Sequence, residues 1–316
     1  MKTISVIVPA YNEEQNLPNV YAELNNVKGK LSNYKFEFII IDNCSFDSTR
    51  KIAIEICQKD PHWKYVRFSR NFGSEASIAA GYKLSKGDAV IVCFSDLQDP
   101  PEVIPQFVTE WEKGYDIVYG VYSGTTHEVF WKRMATKVFY RWMEKMSDPP
   151  LLPFAGDFRL VTRRAVNILN QLDEKNRFMR GLSQWVGFKT SVVQYVRRPR
   201  IHGKSTASVF HLFNFAFSVI VNFSEKPLRV LTSMGVLICF FSFVMMGLQF
   251  YNYFFRPIVP GITSTLVLLT FNLGFTSLGM GILGEYIGKI YREVKNRPLY
   301  IVDESNGIGL DDAKSN

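Results

Sequence analysis

Along the first hundred residues, short continuous apolar runs alternate with stretches whose apolar positions recur every three or four residues. Ile4 to Val8 is the first run, ended by Pro9, and a polar stretch from Asn12 to Asn16 leads into Leu17, Val20, Tyr21, Leu24 and Val27 at helical spacing. Phe36 to Ile41 is the second run, followed by Asp42-Asn43-Cys44-Ser45 and a helix-like segment from Ser48 to Lys59. Tyr65 to Phe68 and Ala89 to Phe94 are the third and fourth runs, with a helical pattern over Glu75 to Ser85 between them. Continuous apolar strands separated by amphipathic helices predict an α/β domain around a mainly parallel sheet, buried on both faces.

Polar residues collect where those strands end. Ligands bind outside the carboxyl ends of the strands in open α/β sheets, so Pro9 to Glu13, Asp42 to Asp47, Ser69 to Glu75 and Ser95 to Asp99 are expected to converge on one cleft. No glycine-rich dinucleotide or phosphate loop follows any of the strands, which counts against a nicotinamide enzyme or a P-loop ATPase.

The pattern changes near the carboxyl end. Val230 to Phe255 and Pro257 to Gly284 contain no charged residue, and each exceeds the roughly 20 residues needed to span a hydrocarbon core. Gly274, Gly279, Gly281 and Gly284 are small residues of the kind that let helices approach within lipid. The alternative is a pair of buried core helices. Two transmembrane helices are expected. Lys226 and Arg229 before them and Lys289, Arg292, Lys295 and Arg297 after them place both termini and the catalytic domain on the cytoplasmic side of a multi-pass cytoplasmic-membrane protein. Phe210, Phe213, Phe215, Phe217 and Phe223 predict an amphipathic helix at the membrane interface. The resulting division is 1–205 catalytic, 206–228 juxtamembrane, 229–290 membrane-spanning and 291–316 a poorly ordered cytoplasmic tail without chemistry.

Composition adds two constraints. The formal charge of +8, mostly ahead of the apolar runs, suits phosphate-bearing ligands and anionic lipid; no nucleic-acid partner is expected. Cys44, Cys57, Cys93 and Cys239 have no metal-site spacing, and Met1 and Lys2 lead directly into a strand with no secretory signal.

The segments VIVPAYNEE, IIIDNCSFDST, FSRNFGSEASI, FSDLQDPPEVI, GDFRLVTRRAV and RIHGKS resemble, in this order, those of the family two glycosyltransferases, in the polyprenyl-phosphate branch. That branch includes dolichol-phosphate mannose synthases and bactoprenol glucosyltransferases. The resemblance runs from Ile4 to Ser205 and implies a GT-A-like nucleotide-sugar domain. It places Pro9, Ala10, Tyr11 and Glu13 in the first nucleotide-binding loop, where the residue-level alternative is a helix cap involving Asn12. It assigns Asp42 to the base edge, with Asn43 in place of a second aspartate, and adds Ser69, Asn71 and Ser95 to the donor site. Asp96 and Gln98 match the later positions of a metal and diphosphate motif for Mg²⁺ or Mn²⁺, but Phe94 replaces its first carboxylate. Asp99 is read as a cap for the helix near Glu102.

Asp157 resembles the carboxylate near the acceptor, with a positioning or electrostatic role favoured over proton abstraction. Arg200, His202, Gly203, Lys204 and Ser205 resemble a segment that closes on phosphate, while Arg197 and Arg198 read equally as a basic flank. Lys132, Arg133 and Lys137, beside Trp131, Met134, Tyr140 and Trp142, are candidates to guide a lipid phosphate or an ordinary solvated face. The implied reaction is inverting transfer of one hexose to undecaprenyl phosphate, with UDP-glucose favoured as donor over mannosyl or aminosugar donors. A homo-oligomer, up to a tetramer, is also implied. A processive polysaccharide synthase and a non-catalytic membrane scaffold are the competing readings.

Overall fold

A computed structural model of the chain describes residues 1–122, 152, 155–175, 177–199, 226–255 and 261–309. The chain forms two units, Met1–Val209 with Asn296–Asn316, and Phe210–Lys295.

The first unit is an α/β domain. Its elements run β1 (Thr3–Ala10), α1 (Leu17–Lys30), β2 (Lys35–Asp42), α2 (Thr49–Lys59), β3 (Trp63–Phe68), α3 (Ser74–Leu84) and β4 (Ala89–Val92). A 3-10 turn (Pro101–Val103) and α4 (Ile104–Glu112) lead to β5 (Ile117–Tyr122), β6 (Ala155–Thr162), α5 (Arg163–Gln171), α6 (Met179–Trp185) and β7 (Thr190–Tyr195). The eight-stranded sheet has the order β7-β5-β6-β4-β1-β2-β3-β8, where β8 is Val302–Asn306. Pairs β1–β2, β1–β4, β2–β3 and β5–β7 are parallel, and pairs β4–β6, β5–β6 and β3–β8 are antiparallel. The expected mainly parallel sheet is therefore present, with β6 and β8 running against it.

The continuous apolar runs are the centre of that sheet. Val6, Ile7, Val8, Phe38, Ile39, Ile40 and Ile41 are all fully buried because helices cover both faces. Gly81 lets α3 lie directly on β1: a Cβ there would stand 2.3 Å from the Ile7 side chain.

Two expectations are overturned at the carboxyl end. The second unit consists of α7 (Lys226–Phe255) and α8 (Ile262–Val294), so the charge-free runs do lie in helices. Among the described residues, however, no helix is long and apolar enough to cross a membrane, and neither the two transmembrane helices nor the multi-pass topology stands. Freedom from charge is not uniform apolarity. Thr232, Ser233, Thr265, Asn272, Thr276 and Ser277 interrupt the apolar runs, and α8 continues into Glu285, Lys289, Arg292 and Glu293.

The tail also differs from expectation. Val302–Asn306 forms β8 on the β3 edge, with Arg50 2.8 Å from Glu304 and Ser69 N–H donating to the Ile301 carbonyl at 2.9 Å. The strand carries Asp303 and Glu304 and hardly any apolar residues, so nothing in its pattern marks it as a strand.

Candidate donor and acceptor sites

The four parallel strands end side by side, and the loops beyond them are laced together. Asn43 N–H donates to the Ala10 carbonyl at 2.9 Å, and Ser95 Oγ donates to the Pro9 carbonyl at 2.9 Å. Asn12 N–H donates to Ser45 Oγ at 2.9 Å, while Asn12 Oδ1 accepts from Phe46 N–H at 2.9 Å. Asn43 Oδ1 accepts from Phe72 N–H at 2.8 Å, joining the loop after β3. Pro9–Glu13, Asp42–Asp47, Ser69–Glu75 and Ser95–Asp99 thus meet along one edge of the sheet, the place where a single cleft is expected.

Each of these loops contains a residue in the left-handed backbone region. Asn12, Cys44 and Leu97 have φ of 55°, 63° and 51°, and Gly73 has φ of 92°. Non-glycine residues rarely adopt this conformation, and they cluster at sites where the surrounding structure over-determines the backbone. Here side-chain hydrogen bonds and the burial of Leu97 hold it in place.

Within this edge the predicted residues separate into exposed and locked groups. Tyr11 is 40% exposed and its ring stands edge-on to that of Phe46, 82% exposed, at 6.5 Å. The pair forms an aromatic lip; Phe46 escaped the sequence reading because it sits in a polar segment. Ser69 and Asn71 are also exposed, and Asn71 Oδ1 accepts from Gly73 N–H at 2.9 Å at the start of α3. Glu13 accepts from Asn16 Nδ2 at 2.6 Å ahead of α1. Asn12 therefore spends its side chain on the loop after β2 rather than capping α1.

Asp42 is fully buried. Its Oδ1 accepts from Ser45 N–H at 2.8 Å and Ser45 Oγ at 2.6 Å, its Oδ2 accepts from Tyr65 at 2.8 Å, and Arg67 Nε lies 3.6 Å away. The carboxylate expected at the base edge thus shapes the loop from beneath.

Asp96 is half-buried, and its Oδ1 accepts from Gln98 N–H at 3.2 Å. Asp99 is not a helix cap: its Oδ1 accepts from Tyr195 at 2.6 Å and lies 3.1 Å from Arg197 Nε. Burial pushes the Asp99 carboxyl up against the pull of Arg197 and Tyr195. The neighbouring Arg198 is structural, holding Glu23 at 2.9 Å and Glu102, while its N–H donates to the Gln98 carbonyl at 2.9 Å. Among the described residues no group of three or more His, Cys, Asp or Glu is placed to hold a metal ion. With Phe94 where a second carboxylate would stand, Asp96 and Gln98 alone do not make a resident metal centre.

The antiparallel half of the sheet supplies a second charged cluster. Asp157 Oδ2 lies 2.9 Å from Arg180 Nη2, and its Oδ1 lies 3.7 Å from Nη2 of the fully buried Arg159. Arg159 Nε donates to Tyr82 at 3.2 Å and Nη1 to Ser183 at 3.1 Å. Burial pushes the Asp157 carboxyl up, but Arg180 and Arg159 outweigh it and hold the group below the usual carboxylate range. Glu75, on the first turn of α3, accepts from Met179 N–H at 2.8 Å. Burial and the charge of Asp157 push its carboxyl up to about 7. Of this cluster, Asp157 is the one site residue expected from the sequence; Glu75 is there only the end of the Ser69 to Glu75 loop, and Arg159 and Arg180 are not among the expected site residues. The signal for Arg159 was available, since residues two apart on a strand share a face. Arg200, Lys204, Ser205, His202, Gly203, the 131–142 segment and Phe210 to Phe223 lie outside the described residues.

Residues 5–169 match the family model described as Glycosyl transferase family 2. The chain belongs to that family. This glycosyltransferase is 38% identical over 306 residues to the Uncharacterized glycosyltransferase sll0501 of Synechocystis sp., covering 96% of each chain. It is 39% identical over 305 residues to the SfII prophage-derived bactoprenol glucosyl transferase of Shigella flexneri, covering 96% of this chain and 98% of that one. Among solved structures it is similar to glucosyl-3-phosphoglycerate synthase from Mycobacterium tuberculosis in complex with Mn²⁺, UDP-glucose and phosphoglyceric acid. That likeness has 21% identity, covers 70% of this chain and 78% of the other, and has a TM-score of 0.43, too distant to bear on the substrates or metal of this site.

Proposed function

We propose that this glycosyltransferase transfers one hexose, glucose from UDP-glucose, to undecaprenyl or another polyprenyl phosphate. The reading rests above all on the 39% identity to a bactoprenol glucosyl transferase along nearly the whole of both chains. The Tyr11–Phe46 lip and the loops of Pro9, Ala10, Glu13, Asn43, Ser69, Asn71 and Ser95 take the nucleotide, with Asp42 fixing the loop beneath it. A phosphate oxygen of the acceptor forms the bond to the anomeric carbon from the face opposite the donor diphosphate. The bond to that diphosphate breaks, and its electron pair leaves with UDP, inverting the centre.

Asp157 is ionised throughout the neutral range, and an acceptor phosphate is already anionic, so proton abstraction is not its task. It orients Arg180 and Arg159, whose positive charge favours an incoming phosphate. A divalent cation, Mg²⁺ or Mn²⁺, would arrive on the donor diphosphate with Asp96 as its protein carboxylate and Gln98 beside it. Arg200, Lys204 and Ser205 are assigned to phosphate closure by their motif. The apolar side chains exposed on α7 and α8, among them Leu237, Phe240, Phe243, Leu269 and Phe271, suit contact with the isoprenoid acceptor and its lipid surroundings. Self-association up to a tetramer would cover the same side chains, and light scattering in detergent reads it.

The deciding experiment incubates purified protein with undecaprenyl phosphate and a panel of nucleotide sugars, with Mg²⁺, Mn²⁺ or chelator, and weighs the extracted lipid. A gain of one hexose from UDP-glucose supports the reading, and gain only from a mannosyl or aminosugar donor replaces glucose with that sugar. Donor binding without transfer under every ion would make the chain a scaffold. Asp96→Ala is expected to lower transfer about 10²-fold or more.

A further inference from the structure

We propose that Glu75 is a positioning residue for the transfer step: it fixes the start of α6 from α3 so that Arg180 is held on Asp157. The inference rests on the transfer reading above and adds a residue to it. An α-helix begins with backbone N–H groups that have no partner within the helix. At α6 the first of these, on Met179, is taken by the Glu75 carboxylate at 2.8 Å, across 104 residues of sequence. Phe178, which precedes the helix, makes no side-chain cap, so the first turn of α6 is anchored from α3. The next residue is Arg180, whose guanidinium meets Asp157 at 2.9 Å. Gly73, with φ of 92°, turns the chain into α3 and brings Glu75 to this place.

Among the described residues, the charges that act most on Glu75 belong to the same assembly, Asp157 and Arg159 from β6 and Arg180 from α6, with the neutral Tyr82 further along α3 coupled to it. Two carboxyls sharing one pair of guanidiniums do not ionise equally. Asp157, closest to Arg180, takes the negative charge, and Glu75 keeps its proton until about pH 7. Protonated, Glu75 still accepts the Met179 N–H and leaves Arg180 to Asp157. Ionised, it competes with Asp157 for Arg180.

The test compares the full-length wild type with Glu75→Gln and Glu75→Ala between pH 6 and pH 9, recording kcat, donor KM and the melting temperature. Glu75→Ala is expected to lose about tenfold to 10²-fold in kcat with donor KM changed less than twofold, the signature of a small misplacement. Glu75→Gln, whose amide oxygen still accepts from Met179, is expected to restore most of kcat and to abolish the fall in wild-type kcat above about pH 7. A Glu75→Ala kcat within twofold of wild type, or a Glu75→Gln variant as impaired as Glu75→Ala, would overturn the proposal. If wild-type protein transfers no sugar, the functional reading fails and the melts decide. A carboxyl raised in the fold contributes stability that is present below its ordinary pKa and lost as pH rises through about 7. Glu75→Gln must then melt higher relative to wild type at pH 8 than at pH 5. Equal differences at both would refute the carboxyl pair.

Discussion

Asp42 and Asp157 are carboxylates in one sheet, and the structure treats them in opposite ways. Asp42 accepts three hydrogen bonds among the described residues, two from Ser45 and one from Tyr65, and has Arg67 nearby at 3.6 Å. Asp157 has one close arginine contact through Oδ2, whereas among the described residues Oδ1 accepts no hydrogen bond and faces an Arg159 Nη2 that donates none. The first carboxylate is saturated and neutralised inside its own loop. The second sits in a surplus of positive charge with hydrogen-bonding capacity left over. Saturation is what a scaffold needs; a guanidinium donor with capacity left over, beside a second guanidinium, is what an anionic ligand can use.

That contrast can be broken at either end. The largest effect is expected from Asp42→Ala, which leaves Tyr65 and the Ser45 donors without their common acceptor and removes the carboxylate paired with Arg67 at 3.6 Å. Removing one side of a buried charged network costs about 3–5 kcal/mol, so chemical denaturation should show a loss of that order. A variant as stable as wild type would mean that Asp42 is not the lock described above. Asp157→Asn comes next, with an expected fall of about 10²-fold in kcat at saturating donor. Its stability should change much less than that of Asp42→Ala, because Glu75 can ionise in the emptied place and balance Arg180; an equal loss of stability would erase the distinction. Tyr65→Phe is the mildest, removing one hydroxyl that donates to a carboxylate, and about 1.5 kcal/mol is expected in the same denaturation assay.

The same contrast separates what could be read in advance from what could not. The parallel half of the sheet was legible because strands buried on both faces are written as continuous apolar runs, and the polar residues that follow each run are the loops now seen tied together. The Asp42 network is local in sequence, spanning Asp42 to Arg67. The Asp157 cluster is assembled from β6, α3 and α6, and the Glu75–Met179 contact joins positions that no spacing rule connects. Asp99 was misread as a cap because the proline turn after it is a common helix start; its partners, Tyr195 and Arg197, arrive from the far end of the domain. The carboxyl-terminal runs mislead because absence of charge is not uniform apolarity. Strand β8 was invisible because its ladder is built by backbone groups and its side chains are acidic.

That last strand has a consequence for how the protein can be dissected. Because Val302–Asn306 returns to β3 only after the helical unit has intervened, a fragment cut ahead of the helices loses the strand that shields β3. Its backbone donors and acceptors would then face solvent as an open template for another chain. Expression of the amino-terminal portion by itself is therefore an invitation to edge-to-edge aggregation, and a soluble catalytic fragment calls for the closing strand to be spliced back on.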